Sequence, residues 1–179
     1  MEDLNFHKVK KIFFLISFFF IHSVSFAQNF SLEKQVTLND PWGSSFLNNN
    51  ELILTEKSGK IKIANIITKE VFEVDHNLNF IEHGQGGLLD ILFKDNFVYI
   101  SYSENRGNMK TSTSIAKASF NKKKLDFKNI FQAEPPINSG YHFGSRLAIK
   151  DNYLFASAGE RGQGMIAQDP SKHPGSIIR

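Results

Sequence analysis

The sequence predicts an all-β protein built from a repeated sheet unit. Three observations carry that reading. Helical periodicity is nearly absent after the first 27 residues, short alternating or apolar runs recur between polar turns, and the runs fall into groups of four that share one plan.

The N-terminal segment stands apart from the repeats. Lys8, Lys10 and Lys11 precede the apolar run "IFFLISFFFIHSV", and "SFA" then supplies the small residues Ser25 and Ala27. Basic, apolar and small-residue segments in that order form a secretory signal peptide. Cleavage is expected after Ala27, leaving residues 28–179 as the folded part in a bacterial periplasm or outside the cell. An uncleaved N-terminal anchor is the alternative. The apolar run is short for a membrane span and no second one follows, so no stable span is expected after cleavage.

The strand runs follow in order. "SSFLN", "ELILTE", "KIKIANI" and "EVFEV" make the first group. "LLDILF", "FVYISYS", "TSIAKASF" and "DFKNIF" make the second, and "SRLAIK" with "YLFASAG" opens a third. The segments "NNN", "KSGK" and "KDN" supply the turns. Each group starts with a glycine and an apolar strand, continues through an Asn-bearing turn, and reaches a second strand ending in small or hydroxyl residues. Gly43, Gly87 and Gly144 mark the starts, 44 and 57 residues apart. Units of this length with four strands each are the mark of a β-propeller, in which every sheet needs a neighbour to cover its face. The chain holds two complete units and the first half of a third, and ends at "GSIIR" within another strand-like run. A propeller needs at least four blades to close, so the sequence is expected to be part of a longer one.

Composition narrows the chemistry. The chain has no cysteine, which removes disulfides and thiolate–metal sites. The formal charge of +3 is small and scattered. The one basic run, "NKKKLDFK" at 121–128, alternates with apolar residues as a solvated hairpin edge would, which argues against nucleic-acid binding. "HGQGGLLD" leads into a strand and lacks a P-loop lysine, so it is not a phosphate cradle.

The loops entering the first strand of each blade form one rim of a propeller. His142, Gln85 and the Pro41–Trp42 pair occupy equivalent places before those strands and converge on one axial pocket. His142 suits a general base near neutral pH; the structural alternative is a rim histidine bonded to a loop carbonyl. Arg146 reads either as a fixed positive charge for an anionic ligand or as a buried ion pair with an acid of the next blade. Glu160 and Arg161 end the following strand in "GERG", where a turn with a local salt bridge is the structural reading. His83 reads as a solvent-facing loop residue, and His173 in "SKHPG" is ambiguous. None of these residues is assigned to a metal.

With these residues in place the sequence resembles the soluble quinoprotein glucose/sorbosone dehydrogenases, including the PQQ-dependent aldose sugar dehydrogenases, over about residues 36–179. The resemblance rests on "PWGSSFL", "LTEKSGKIKI", "GQGGLLDILF", "YISYSE", "EPPINSGYHFGSRLAI" and "AGERGQGMIAQDPSKHPGSIIR", in that order and spacing. It implies a six-bladed β-propeller with pyrroloquinoline quinone (PQQ) in the axial pocket, of which this chain carries about two and a half blades. It implies oxidation of an aldose at the anomeric carbon to the lactone, with electrons leaving to an external quinone or cytochrome.

Carried over residue by residue, His142 matches the catalytic base and Glu160 a carboxylate that orients it. Gln85 matches a glutamine at the substrate and cofactor, Arg146 a structural or electrostatic position near the cofactor, and Gln163 a residue within reach of substrate. Tyr141 stands where glucose-oxidising relatives carry an acid, which favours a broader aldose or a polyol. Most PQQ-clamping residues and the calcium ligands belong to the family's later blades. The competing functional classes are a non-catalytic propeller that binds a carbohydrate or protein partner, and a calcium-dependent lactonase-like hydrolase. The hydrolase needs several channel-facing acids and amides, of which Glu160 alone is well placed.

Overall fold

A computed structural model describes residues 30–179, and the expected leader at 1–27 lies outside them. The first sheet contains β1 (Pro41–Phe46), β2 (Glu51–Glu56), β3 (Lys60–Asn65) and β4 (Val71–His76), paired antiparallel in chain order. The second contains β5 (Leu88–Lys94), β6 (Phe97–Asn105) and β7 (Thr111–Ser119). After a two-residue strand, β8 (Lys124–Leu125), it is completed by β9 (Lys128–Gln132). The third contains β10 (Gly144–Lys150), β11 (Tyr153–Ala158) and β12 (Ser176–Ile178). Two complete propeller blades and three strands of another are therefore present.

Local sequence explains the hairpins. "KDN" closes both β5–β6 and β10–β11, and Asp95, Asn96, Asp151 and Asn152 all have positive φ, between 49° and 65°. Two successive left-handed residues make the type I′ turn that matches strand twist, and Asp and Asn tolerate it. In the first blade the longer "NNN" turn is held by Asn48, whose Oδ1 accepts the amides of Asn50 and Glu51 at 2.9 and 3.1 Å. β2 reads "ELILTE", and Ile53 within it is fully buried. Ile61, Ile63, Val74, Leu88, Ile91, Val98 and Ile100 join it in one core shared by the first two sheets.

The basic run at 121–128 departs from the expected hairpin edge. Residues Lys124 and Leu125 pair in parallel with Asp75 and His76 of the first blade. Leu125 is fully buried and Phe127 nearly so, while Lys124 stays exposed. The alternation is thus that of a cover strand: its apolar side chains close the gap between two blades and its lysines face water.

A second device joins the blades. Each first strand carries a bulge at the same register, at Pro41/Ser44, Leu88/Ile91 and Gly144/Leu147. The amides of Gly43, Asp90 and Arg146 at those bulges donate to Thr55 Oγ1, Ser101 Oγ and Ser157 Oγ, at 2.9, 2.9 and 3.0 Å. Those acceptors occupy one repeated position on the second strands. The Thr55 hydroxyl then donates to Leu89 O in the second blade at 2.5 Å, and the Ser101 hydroxyl to Ser145 O in the third at 2.6 Å. In each of the first two blades one side chain therefore satisfies a bulge amide at home and a buried carbonyl next door. The close approach explains Gly43, where an added Cβ would sit 2.8 Å from Asp90 Cα and Ile91 N.

Candidate active site

The site is built from three loop segments at one end of the second and third blades: 82–87, 138–143 and 159–163. The first two lie back to back. Gln85 donates its amide to Gly140 O at 2.7 Å, and Gln85 Oε1 accepts the His142 amide at 2.8 Å. Gly140 permits this contact, since a Cβ there would meet the His83 ring at 2.8 Å. The third segment lies against His142, and a Cβ on Gly159 would sit 1.9 Å from His142 O.

This packing brings His142 and Glu160 together. His142 Nδ1 lies 2.5 and 2.8 Å from the two carboxylate oxygens of Glu160. The pair is open to solvent on one side, with the imidazole about half exposed. The hydrogen bond from His142 holds the Glu160 carboxyl below its ordinary range; desolvation opposes it, and the His142 charge when protonated and the Gly162 amide add lesser pulls downward. A carboxylate on Nδ1 fixes the tautomer with hydrogen on that nitrogen. Nε2 has no hydrogen-bond partner among the described residues, and with hydrogen on Nδ1 it is the nitrogen that carries the ring's lone pair.

The other expected site residues separate. Arg146 is exposed, with its guanidinium 3.5 Å from Oδ1 of the buried Asp90, so its ion pair is buried on the acid's side only and is not with a later blade. The acid belongs to the preceding blade, and its other oxygen accepts the Leu147 amide at 2.9 Å. Water screens such a pair, leaving the guanidinium available to an anion. Gln163 is exposed ahead of a short 3-10 helix, Gly164–Gln168, and its carboxamide has no hydrogen-bond partner among the described residues. Pro41 and Trp42 fall inside β1, where Pro41 pairs with Glu56, and not in a loop before it. The bulge draws these residues into the sheet.

His173 is structural: Nδ1 accepts the Glu134 amide at 2.9 Å and the ring packs edge-on to Phe131. His83 is exposed in its loop.

Arg161 overturns its sequence reading as half of a local salt bridge. It is 2% exposed, and its guanidinium bonds to oxygens of Thr111, Ser139 and Tyr141 while Glu160 turns to His142. Its partners lie 20 to 50 residues away and are mostly main-chain carbonyls, which carry no sequence signature. The flanking glycines of "GERG" were the one available sign of close main-chain approach.

Among the described residues no cluster of three or more His, Cys, Asp or Glu could hold a metal ion. No helix among them is long and apolar enough to cross a membrane.

Comparison with known proteins fits this arrangement. The chain is 28% identical over 183 residues to the aldose sugar dehydrogenase YliI of Escherichia coli, an alignment covering 95% of this chain and 49% of that protein. The solved apo-form of the soluble aldose sugar dehydrogenase from Escherichia coli superposes with a TM-score of 0.74 at 30% identity, over 79% of this chain and 44% of that one. The PQQ-bound aldose sugar dehydrogenase of Streptomyces coelicolor gives 0.71 at 25% identity, over 83% and 46%. The chain thus spans about half the length of the relatives it matches. The family model described as Glucose / Sorbosone dehydrogenase matches residues 38–179, nearly all of the described chain. On that match, the chain belongs to the glucose/sorbosone dehydrogenase family.

Proposed function

We propose that this chain forms one wall of the active site of a PQQ-dependent aldose dehydrogenase, with His142 as the base. The observation that carries the reading is the His142–Glu160 pair: a carboxylate on Nδ1 leaves an unpartnered Nε2 on an open rim. The PQQ-bound state of a relative at 25% identity supports the choice of cofactor.

The residues present suit a multiply anionic quinone in part. Arg146 offers an exposed guanidinium and Gln163 an exposed carboxamide with no hydrogen-bond partner among the described residues, while the Gln85 carboxamide oxygen is occupied by the His142 amide. When bound, PQQ supplies the two-electron acceptor for the anomeric hydrogen. The protein's share is proton transfer and orientation. His142 Nε2 accepts the proton of the anomeric hydroxyl as its C–H bond breaks and the C=O of the lactone forms. Glu160 stabilises the imidazolium that results and keeps Nε2 aimed outward. Gln85 holds the main chain of His142, so that the base sits on a fixed loop. No group of three or more His, Cys, Asp or Glu stands together among the described residues, and no step here depends on a metal.

Tyr141, 61% exposed, stands with its ring beside the His142 imidazole. A phenol offers a substrate hydroxyl both a donor and an acceptor without a negative charge, consistent with a broad aldose or polyol substrate. An external quinone or cytochrome acceptor and a periplasmic or secreted setting complete the proposal, the latter resting on the leader-like residues 1–27. The test is dye-linked oxidation of a panel of aldoses and polyols by the full-length protein reconstituted with PQQ. PQQ-dependent lactone formation is expected, and turnover that is indifferent to PQQ would exclude the reading.

A further inference from the structure

The 138–143 segment has a second support, built from one side chain that touches neither the open rim nor Glu160's carboxylate. Arg161 is 2% exposed, yet its guanidinium hydrogen-bonds neutral oxygens, and the neighbouring Glu160 carboxylate acts on it only through space. Nε donates to Tyr141 O at 2.9 Å, Nη1 to Thr111 O at 3.1 Å, and Nη2 to Thr111 Oγ1 at 2.8 Å and to Ser139 O. The guanidinium stacks on Phe143, 3.6 Å from the ring centroid. Phe143 is itself buried, and it lies where a Cβ on Gly86 would meet its ring at 2.8 Å. The Arg161 amide also reaches His142 O at 3.3 Å.

The contacts therefore clamp the residues on both sides of His142 to the start of β7. His142 itself holds φ at 49°, and Arg161 at 61°. Left-handed backbone at a non-glycine residue persists where the surroundings over-determine it, and Arg161 supplies that constraint. Arginine is the residue this requires. Its planar fork presents separated donors to several acceptors at once, whereas a lysine ammonium places all its donors at one point. Burying a guanidinium among neutral oxygens is costly, which sets this apart from an incidental surface contact.

We propose that Arg161 is the positioning residue for His142: it locks the loop on either side of the histidine and thereby fixes the imidazole on Glu160 with Nε2 free. This inference rests on the reading of His142 as the base. It predicts that loosening Arg161 releases the tautomer before it unfolds the blades.

The test reads the imidazole directly. The ¹⁵N shifts of His142 in the full chain report which ring nitrogen carries hydrogen, with no cofactor or substrate present. The Nδ1–H tautomer is expected to dominate in the wild type and to fall to a minor population in Arg161→Lys, with the amide resonances of β5 unchanged and those of β7 shifted only near Thr111. A folded Arg161→Lys protein retaining the wild-type tautomer overturns the proposal, as does a wild type dominated by Nε2–H. If Arg161→Lys does not fold, Thr111→Val, which removes one acceptor of the fork, decides by the same readout. Turnover measured alongside keeps the two readings apart. A tautomer that shifts in a protein with no sugar oxidation removes the enzymatic reading alone. A tautomer and kcat both unchanged in an active enzyme remove the positioning role alone.

Discussion

Glu160 places both carboxylate oxygens on one nitrogen of His142, at 2.5 and 2.8 Å from Nδ1, and takes the Gly162 amide on Oε1 at 3.1 Å. The acid thus serves the imidazole and its own turn together, and the two residues, 18 positions apart in the chain, meet where Gly159 packs on the His142 carbonyl.

Replacing the acid isolates its effect on the base. Glu160→Gln keeps the shape and removes the charge that stabilises an imidazolium. Turnover is expected to fall by about 10²-fold or more, within the roughly 10²–10⁴-fold that a general base contributes. The measurement is kcat of the reconstituted protein with a saturating aldose.

The same pair sets a pH signature in stability. The Glu160 carboxyl is held below its ordinary 4.5, first by the hydrogen bond from His142. A carboxyl whose folded pKa is lowered contributes stability that is complete above the unfolded value and lost as pH falls through the folded one. The melting temperature of the wild type is therefore expected to exceed that of Glu160→Gln above pH 4.5, and the gap to close on acidification below it. Thermal melts of both proteins across an acid series check the sign.

Gln85 acts on His142 through the backbone, its Oε1 accepting the amide at 2.8 Å. A neutral hydrogen bond contributes about 0.5–1.5 kcal/mol net, so Gln85→Ala is expected to lower kcat/KM by roughly two- to tenfold. Steady-state kinetics against the wild type measure it.

The blade-joining hydroxyls give a prediction independent of catalysis. Ser101→Ala strands the Asp90 amide and the Ser145 carbonyl, both buried, and is expected to cost about 1–3 kcal/mol. Ser157 satisfies the Arg146 amide alone among the described residues, so Ser157→Ala is expected to cost less. Urea unfolding of the two variants ranks them.

How far the sequence carried the fold follows from which contacts were local. Alternation made "ELILTE" and "LLDILF" legible as strands, and "KDN" announced its turns through residues that accept positive φ. The repeat then placed His142, Gln85 and Glu160 on one rim, because equivalent strand ends of a repeated sheet share an end of the molecule. Contacts without a period stayed hidden. Leu125 reaches across to the first blade through a two-residue parallel pairing, and no local pattern encodes that. Arg161 binds carbonyls, which every residue possesses, so its partners had no spelling in the sequence. Of the two readings open for Arg146, the ion pair with the next blade fails because its side chain is exposed and meets Asp90 of the preceding blade, a cross-blade contact with no local pattern.

The most direct measurement is kcat of His142→Ala beside the wild type, in the full-length protein loaded with PQQ and supplied with calcium and an aldose that the wild type oxidises. A fall of about two to four powers of ten is expected, with the melting temperature nearly unchanged because the imidazole is half exposed. A variant that turns over as fast as the wild type would contradict the assignment of His142 as the base.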